Sequence, residues 1–104
     1  DIKVITIDDE SYPKLLREIH NPPQLLYYKG ELTENKEFGL AVVGSRKYTN
    51  YGKMATERII KDLAKNNLTI ISGLALGVDA LAHLTAVETG GKTMAVLGSG
   101  IDRA

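Results

Sequence analysis

A glycine, a hydroxyl and an arginine follow directly after an apolar run near the middle of the chain. Gly44, Ser45 and Arg46 come after the segment Leu40–Val43, and a helical pattern begins a few residues later. Glycine lets backbone amides approach a ligand, serine donates a hydrogen bond, and the arginine guanidinium is a planar fork that matches a phosphate. This combination at the start of a helix predicts an anion-binding loop.

Two further loops share this composition, and each also follows a short apolar segment. Because every strand-to-helix loop of a parallel sheet leaves from its carboxyl edge, we expect the three loops to meet there. Ligands of open α/β sheets bind at that edge. The residues of the three loops that we predict to bind phosphate are Gly44, Ser45, Arg46, Ser72, Gly73, Gly77, Gly98, Ser99 and Gly100.

Strand and helix patterns alternate from residue 40 onward. Apolar runs at Leu40–Val43, Thr69–Ile71 and Thr93–Leu97 predict short strands, the first of them buried on both faces. Helices are predicted over about 50–66 and from 78 to about 89. Strands that alternate with helices indicate an α/β fold whose sheet is parallel and whose crossovers are right-handed.

The first of these helices carries two patterns. Thr49 precedes it and is expected to cap its N-terminus. Helical spacing of apolar side chains predicts a buried stripe formed by Met54, Ala55, Ile59, Ile60, Leu63 and Ala64. Charged residues spaced four apart form another face, which we interpret as solvated and charge-paired rather than as a track for DNA: Lys53, Glu57, Lys61 and Lys65.

Residues 1–39 are predicted to be a lead-in segment that packs on the core domain formed by residues 40–104. In this segment, Lys3–Ile7 and Leu25–Tyr28 have the pattern of short strands. Ser11–Glu18 predicts a short helix capped by its first residue.

The composition excludes several classes of protein. The 104 residues include 13 basic and 13 acidic residues, so the whole chain has no net attraction to nucleic acid or membranes. Residues 1–39 hold 8 acidic and 5 basic residues (net −3), whereas residues 40–104 hold 5 acidic and 8 basic (net +3). The absence of cysteine excludes disulfides and thiolate metal sites. No segment has the pattern of a membrane span or a signal peptide, so a cytoplasmic location is expected. We also expect no cofactor and no bound metal.

Two pairs of side chains permit two interpretations each. Asp79 and His83 lie four residues apart, hence on one face of the second predicted helix. They form either an acid–base pair or a structural pair, in which the aspartate braces the loop 72–77 by accepting its amides. We favour the structural role and assign no catalytic residue, because no nucleophile or metal cluster accompanies them. Tyr48 and Tyr51 either stack on nucleobases or pack against the start of the first helix.

These motifs together resemble the DNA-processing protein A (DprA/Smf) family. The resemblance covers nearly the whole chain and rests mainly on Val43-Gly-Ser-Arg46, Ser72-Gly-Leu-Ala-Leu-Gly-Val-Asp-Ala80 with Ala82-His83, and Ala95-Val-Leu-Gly-Ser-Gly-Ile-Asp102. It implies a Rossmann-like three-layer sandwich with a mainly parallel sheet. The family's core continues beyond residue 104, so the resemblance also implies a domain truncated at its C-terminal side.

The resemblance further implies a protein that binds single-stranded DNA in a basic pocket, with Arg46 as the arginine of the family's G-S-R motif. Family members protect incoming single strands in natural transformation, help load the RecA recombinase and are not known as enzymes. The full-length protein is expected to be a homo-oligomer. Two alternatives stay open: a nucleotide-binding enzyme of a related fold, of the nucleoside-monophosphate hydrolase type, and a structural fragment that is stable only as an oligomer.

Overall fold

The computed structural model describes residues 1–32 and 38–103, and it divides into two compact units. Unit 1 comprises Asp1–Lys36 together with Ser99–Ala104, and unit 2 comprises Glu37–Gly98. Unit 2 therefore contains the alternating strands and helices, up to the end of the third strand of that series. The division into a lead-in segment and a core domain near residue 39 stays a prediction.

Unit 1 contains a two-stranded antiparallel sheet and a short helix. β1 (Lys3–Thr6) pairs with β2 (Leu25–Tyr28), and α1 spans Lys14–Arg17. The predicted cap by Ser11 is wrong. A proline occupies the N-cap position of α1 and no side chain caps the helix, while the Ser11 amide donates to Oδ1 of Asp9 at 3.0 Å in a local turn.

The interior of unit 1 centres on Tyr12, which is fully buried. Its hydroxyl donates to the carbonyl of Pro23 at 2.7 Å. The Arg17 guanidinium lies 5.5 Å from the centre of the Tyr12 ring and donates to the carbonyls of Ile7 and Asp9, at 3.1 and 2.9 Å. Arg17 therefore joins the loop after β1 to the helix and serves the structure of this unit.

Unit 2 contains a three-stranded parallel sheet, as predicted. Its strands are β3 (Gly39–Ala41), β4 (Thr69–Ser72) and β5 (Thr93–Ala95), in the spatial order β3-β4-β5. All pairings are parallel, and the register aligns the carboxyl ends of the strands. The registered pairs nearest this edge are Ala41 with Ile71 and Ser72 with Ala95. The sheet therefore has the carboxyl edge on which the predicted site depends.

Two helices cross over between these strands. α2 spans Asn50–Lys65 and α3 spans Val78–Glu88. The predicted cap of α2 is confirmed, because Oγ1 of Thr49 accepts the Gly52 amide at 3.0 Å. Both helices contact β4 and each other, so they lie on the same face of the sheet. Neither these helices nor α1 are long and apolar enough to cross a membrane.

The core of unit 2 lies between the two helices and β4. Its buried residues are Ile60, Ile70, Ala82 and Ala86, with Val42 and Leu63 packed against them. The predicted stripe of α2 is wrong for Met54 and Ile59, which are 69% and 55% exposed. Successive residues of a helix are rotated by about 100° around its axis. The side of α2 that carries Ile60 and Ala64 packs against its neighbours, whereas positions rotated away from it, which include Met54 and Ile59, are exposed.

The apolar run Leu40–Val43 is not buried on both faces as predicted. Leu40 is 40% exposed and Val43 is 78% exposed. Val42, in contrast, packs against the core, and its amide donates to the carbonyl of Ile71 at 2.8 Å. Val43 alternates with Val42 and so faces away from α2 and α3, which share one face of the sheet. Leu40 lies on the same face as Val42, but β3 is an edge strand of the described three-stranded sheet and is covered from one side only.

Candidate phosphate-binding site

The carboxyl edge of the sheet brings two of the predicted loops together. The first loop (residues 42–49) connects β3 to α2, and the second loop (residues 73–77) connects β4 to α3. The backbone amide of Val78, at the start of α3, donates to the carbonyl of Ser45 at 3.0 Å. This hydrogen bond joins the two loops directly, so their predicted convergence is observed in the structure.

Two glycines make this close approach possible. Gly77 has a φ of +89°, and a Cβ added to it would lie 2.1 Å from the Ser45 carbonyl oxygen and 2.5 Å from that of Arg46. On the opposite side of the contact, a Cβ on Gly44 would lie 2.7 Å from Cβ of Val78. The two loops therefore meet backbone to backbone, and side chains at these positions would separate them.

Cationic side chains are exposed at this junction. Arg46 and Lys47 are both exposed, and the Arg46 guanidinium has no hydrogen-bond or ion-pair partner within residues 1–32 and 38–103. The Ser45 hydroxyl donates to the Lys47 carbonyl at 2.7 Å and accepts the Lys47 amide at 3.1 Å. Ser45 thus fixes the turn of the first loop, and the guanidinium that follows it is available to an anion.

Ser72 and Gly73 already use their donors within the protein. Ser72 is buried, and its hydroxyl donates to the carbonyl of Val42 at 2.5 Å, across to the neighbouring strand. The Gly73 amide donates to Oδ2 of Asp79 at 3.1 Å. In this conformation these two residues shape the edge of the sheet, and their direct contact with a phosphate stays a prediction.

Asp79 and His83 are both buried and make hydrogen bonds to different partners. Asp79 lies in the first turn of α3 and accepts the Gly73 amide of the second loop. Nδ1 of His83 lies 2.6 Å from Oγ1 of Thr93, and that hydroxyl is 2.8 Å from the Ile70 carbonyl. Because the hydroxyl gives its one hydrogen to the carbonyl, Nδ1 carries the imidazole proton. This arrangement supports the structural interpretation of both residues.

The other nitrogen of the imidazole, Nε2, is buried without a hydrogen-bond partner among the described residues. Burial lowers the pKa of His83 from its ordinary value of 6.5, and the Ser72 backbone and the Asp79 charge act in the opposite direction. Desolvation is the largest of the three effects, so the neutral ring is favoured. A neutral imidazole that is only 7% exposed is poorly placed for acid–base work on a nucleotide.

Both tyrosines of the first loop region are accessible. Tyr48 is 42% exposed and Tyr51, in the first turn of α2, is 80% exposed. Tyr51 also lines an open groove of about 600 Å³ along α2, together with Met54 and Arg58. An exposed tyrosine beside cationic residues is suited to nucleobases, although base stacking by these rings stays a prediction.

The third loop divides between the two units. In unit 2, the Val96 amide donates to the Ser72 carbonyl at 2.8 Å, which extends the pairing of β4 and β5 toward the exposed Gly98. Ser99 and Gly100 belong to unit 1 and are exposed there. The structure thus joins the first two predicted loops, and the contribution of Gly98, Ser99 and Gly100 to the site stays a prediction.

The sequence did not predict two features of this region, the hydrogen bond of Thr93 and the backbone conformation of Leu74. Thr93, the hydrogen-bond partner of His83, is an ordinary strand residue in the sequence and became notable only when the sheet register was known. Leu74, in the second loop, has a φ of +60°, and no pattern marks a leucine for this conformation. Within the part of the chain that the structure describes, no cluster of histidine and carboxylate side chains is arranged to hold a metal ion.

Comparison with known proteins gives the family of the chain. A family model described as DNA recombination-mediator protein A matches residues 3–104. The chain belongs to this family. The match covers both units, so the family model includes the lead-in segment as well as the loops at the sheet edge.

Characterised members of the recombination-mediator family are closely related to the chain. The DNA processing protein DprA of Streptococcus pneumoniae is 47% identical over 97 residues, which is 93% of this chain and 34% of the relative. Protein Smf of Synechocystis is 44% identical over 102 residues, or 94% of this chain and 26% of the relative. The chain therefore spans about a third or less of the length of these relatives.

Solved structures of family members have the same fold. The crystal structure of the Streptococcus pneumoniae protein matches with a TM-score of 0.88 at 46% identity, over 97% of this chain and 35% of the relative. DNA processing protein A from Helicobacter pylori matches with a TM-score of 0.74 at 32% identity, over 91% of this chain and 42% of the relative. The Helicobacter structure is described in terms of its single-stranded DNA binding mode. These matches confirm the predicted family and the predicted α/β fold with a parallel sheet.

Proposed function

We propose that the carboxyl edge of unit 2 binds the sugar–phosphate backbone of single-stranded DNA, with Arg46 as its principal cation. The observation that carries the proposal is the junction of the first two loops, where the Val78–Ser45 hydrogen bond holds the loop and leaves the guanidinium free. A fixed loop limits the entropy lost on binding, and a free guanidinium donates two parallel hydrogen bonds to a phosphate. The single-stranded DNA binding of the Helicobacter relative supports this assignment.

The rest of the site follows from the same edge. Lys47 adds a second exposed cation next to Arg46. The backbone of Gly44 lies close to Val78 at the start of α3. The exposed rings of Tyr48 and Tyr51 provide faces for unpaired bases, whereas a duplex hides its base faces inside the stack. We therefore propose that the site prefers single strands to duplex DNA. Gly98, at the end of unit 2, is a further predicted phosphate contact, and phosphate binding by Ser99 and Gly100 stays a prediction from the sequence.

We further propose that the site is not catalytic. A nucleoside-monophosphate hydrolase would need an acid or base that reaches its substrate. The two candidates, Asp79 and His83, are buried and engage the Gly73 amide and the Thr93 hydroxyl. Incubation of the chain with nucleoside monophosphates is expected to release no nucleobase. Turnover that is lost in His83→Gln would contradict the proposal and favour the hydrolase alternative.

The proposal for the whole protein is broader and rests on the family. We propose that it acts in the cytoplasm on DNA taken up in natural transformation, protects single strands, helps load the RecA recombinase and functions as a homo-oligomer. A strand-exchange reaction started on strands coated with single-strand binding protein tests the RecA role. Faster exchange in the presence of the full-length protein is expected, and no change would contradict that role.

Binding is tested by the fluorescence anisotropy of a labelled oligothymidine at two salt concentrations, with unlabelled duplex as competitor. Arg46→Ala is expected to weaken binding and to reduce the salt slope by about one. Lys65→Ala is the matched control, because it removes the same charge from an exposed position in the last turn of α2, at the end of that helix away from the first loop. Equal losses in the two variants would mean that the attraction is diffuse and that Arg46 has no special place. Full competition by the duplex would contradict the preference for single strands.

A further inference from the structure

The tip of the second loop presents two exposed leucines. Leu74 is 47% exposed and Leu76 is 72% exposed. Leu76 directly precedes Gly77, the glycine that meets the carbonyl oxygens of Ser45 and Arg46. The apolar side chain of Leu76 therefore lies one residue in sequence from the contact between the second loop and the first loop, which carries Arg46.

Leu74 adopts a backbone conformation that is unfavourable for its side chain. Its φ is +60°, a left-handed conformation in which Cβ crowds the backbone. The other non-glycine residues with positive φ among the described residues are Asn21 and Asn67, whose side chains tolerate this region. Burial in the core offers little compensation, because nearly half of this leucine is exposed. Strained residues of this kind cluster at ligand sites, and so the outlier directs attention to this loop.

The loop is held firmly in this conformation. The Gly73 amide bonds to Asp79, the Ala80 amide donates to the Ala75 carbonyl at 3.0 Å, and the Val78 amide bonds to Ser45. These three bonds fix both ends of the segment that carries the leucines. The apolar pair is thus presented in a set position, and its ligand does not need to order the loop.

Resting on the proposed function, we infer that Leu74 and Leu76 contact an unpaired nucleobase of a strand whose phosphate lies at Arg46. The neighbouring exposed cations, Arg46 and Lys47, favour a polyanionic ligand over an apolar peptide. An unpaired strand combines such charge with apolar base faces, and aliphatic side chains contact unstacked bases in other nucleic-acid complexes. Contact with the leucine pair should therefore make the site bind a strand that carries bases more tightly than an abasic strand.

The experiment compares a labelled oligothymidine with an abasic phosphodiester strand of the same length, using the whole chain. The variants are Leu74→Asn, which suits a left-handed backbone, and Leu76→Ser. Leu84→Ser is the matched control, since this leucine is 55% exposed and lies about two turns along α3. Circular dichroism and thermal melting establish that each variant is folded.

The wild-type chain is expected to bind oligothymidine at least about fivefold more tightly than the abasic strand. Each substitution in the loop is expected to weaken oligothymidine binding by about three- to tenfold and to leave abasic binding unchanged, while the control changes neither. Equal losses on both strands, or no loss on either, would overturn the inference and leave the phosphate site intact. A wild-type chain that binds neither strand would overturn the proposed function and the base contact with it.

Discussion

The amide of Val78 donates a hydrogen bond to the carbonyl of Ser45 at 3.0 Å, and this bond between two residues far apart in sequence holds the first and second loops together. Neither residue is charged, and the contact is made by their backbones, so neither side chain takes part in it. Their backbone contact nevertheless determines where Arg46 lies, because the guanidinium follows the fixed carbonyl by one residue. The properties of the site therefore depend on backbone geometry that can be tested by substitution.

Gly77→Ala is expected to destabilise the fold by at least about 2 kcal/mol, because the new methyl group meets two carbonyl oxygens at positive φ. Gly90→Ala is the matched control. Gly90 has a similar φ of +80° but nothing within 4 Å of the added Cβ, so a cost of about 1 kcal/mol is expected. Urea denaturation gives both free energies of unfolding. Equal costs would show that the loops move apart freely and that the contact at Ser45 is unimportant.

Thr49→Ala is expected to lower the free energy of unfolding by about 1 kcal/mol, because the Gly52 amide loses its side-chain acceptor. Thr49→Ser keeps the hydroxyl and is expected to retain most of the stability. Chemical denaturation followed by circular dichroism measures both variants. If serine were as costly as alanine, the methyl group of the threonine rather than its cap would be responsible.

Asp79→Ala is expected to cost about 1–3 kcal/mol, because the Gly73 amide is left without an acceptor beside a buried position. Asp79→Asn retains an oxygen acceptor in nearly the same volume and should cost clearly less. Thermal and urea unfolding compare the two variants. An equal loss in the two variants would indicate that the negative charge, and not the hydrogen bond alone, is what the loop requires.

His83 is expected to make the stability of the fold depend on pH. Burial lowers its pKa in the folded chain, so the unfolded chain binds the proton more readily. The free energy of unfolding should therefore fall as the pH drops from about 6.5 toward the lower folded-state pKa, and this contribution should be constant above about pH 7.

The measurement is urea denaturation across this range of pH, for the wild-type chain and for His83→Gln. The variant is expected to lose this part of the pH dependence. His20→Gln removes an exposed imidazole from unit 1 and serves as the control, which should keep it. An unchanged slope in His83→Gln would assign the pH dependence to other groups.

The architecture of unit 2 was predictable because strands that alternate with helices typically form a parallel sheet. The cap at Thr49 and the strand β2 were also predictable, since each depends on residues adjacent in sequence. The meeting of the first two loops followed from the sheet geometry alone. All these features are consequences of local pattern or of topology.

The failures have a different physical origin. Burial of Met54 and Ile59 was predicted from helical spacing, but the spacing does not say which side of α2 its neighbours cover. The occupied donors of Ser72 and Gly73 depend on contacts with residues distant in sequence, as does the partner of His83. The left-handed backbone of Leu74 is imposed by the bonds at both ends of its loop, which no property of leucine reveals.

The division into units has a consequence for the order in which the chain folds. Unit 2 is one continuous stretch, Glu37–Gly98, whereas unit 1 combines Asp1–Lys36 with Ser99–Ala104. During synthesis, every residue of unit 2 is made before the final stretch of unit 1 exists. The sheet edge with its free guanidinium is thus complete in sequence before residues 99–104, the second stretch of unit 1, have been made. Because domains generally fold as units during synthesis, unit 2 can fold while unit 1 still lacks that stretch.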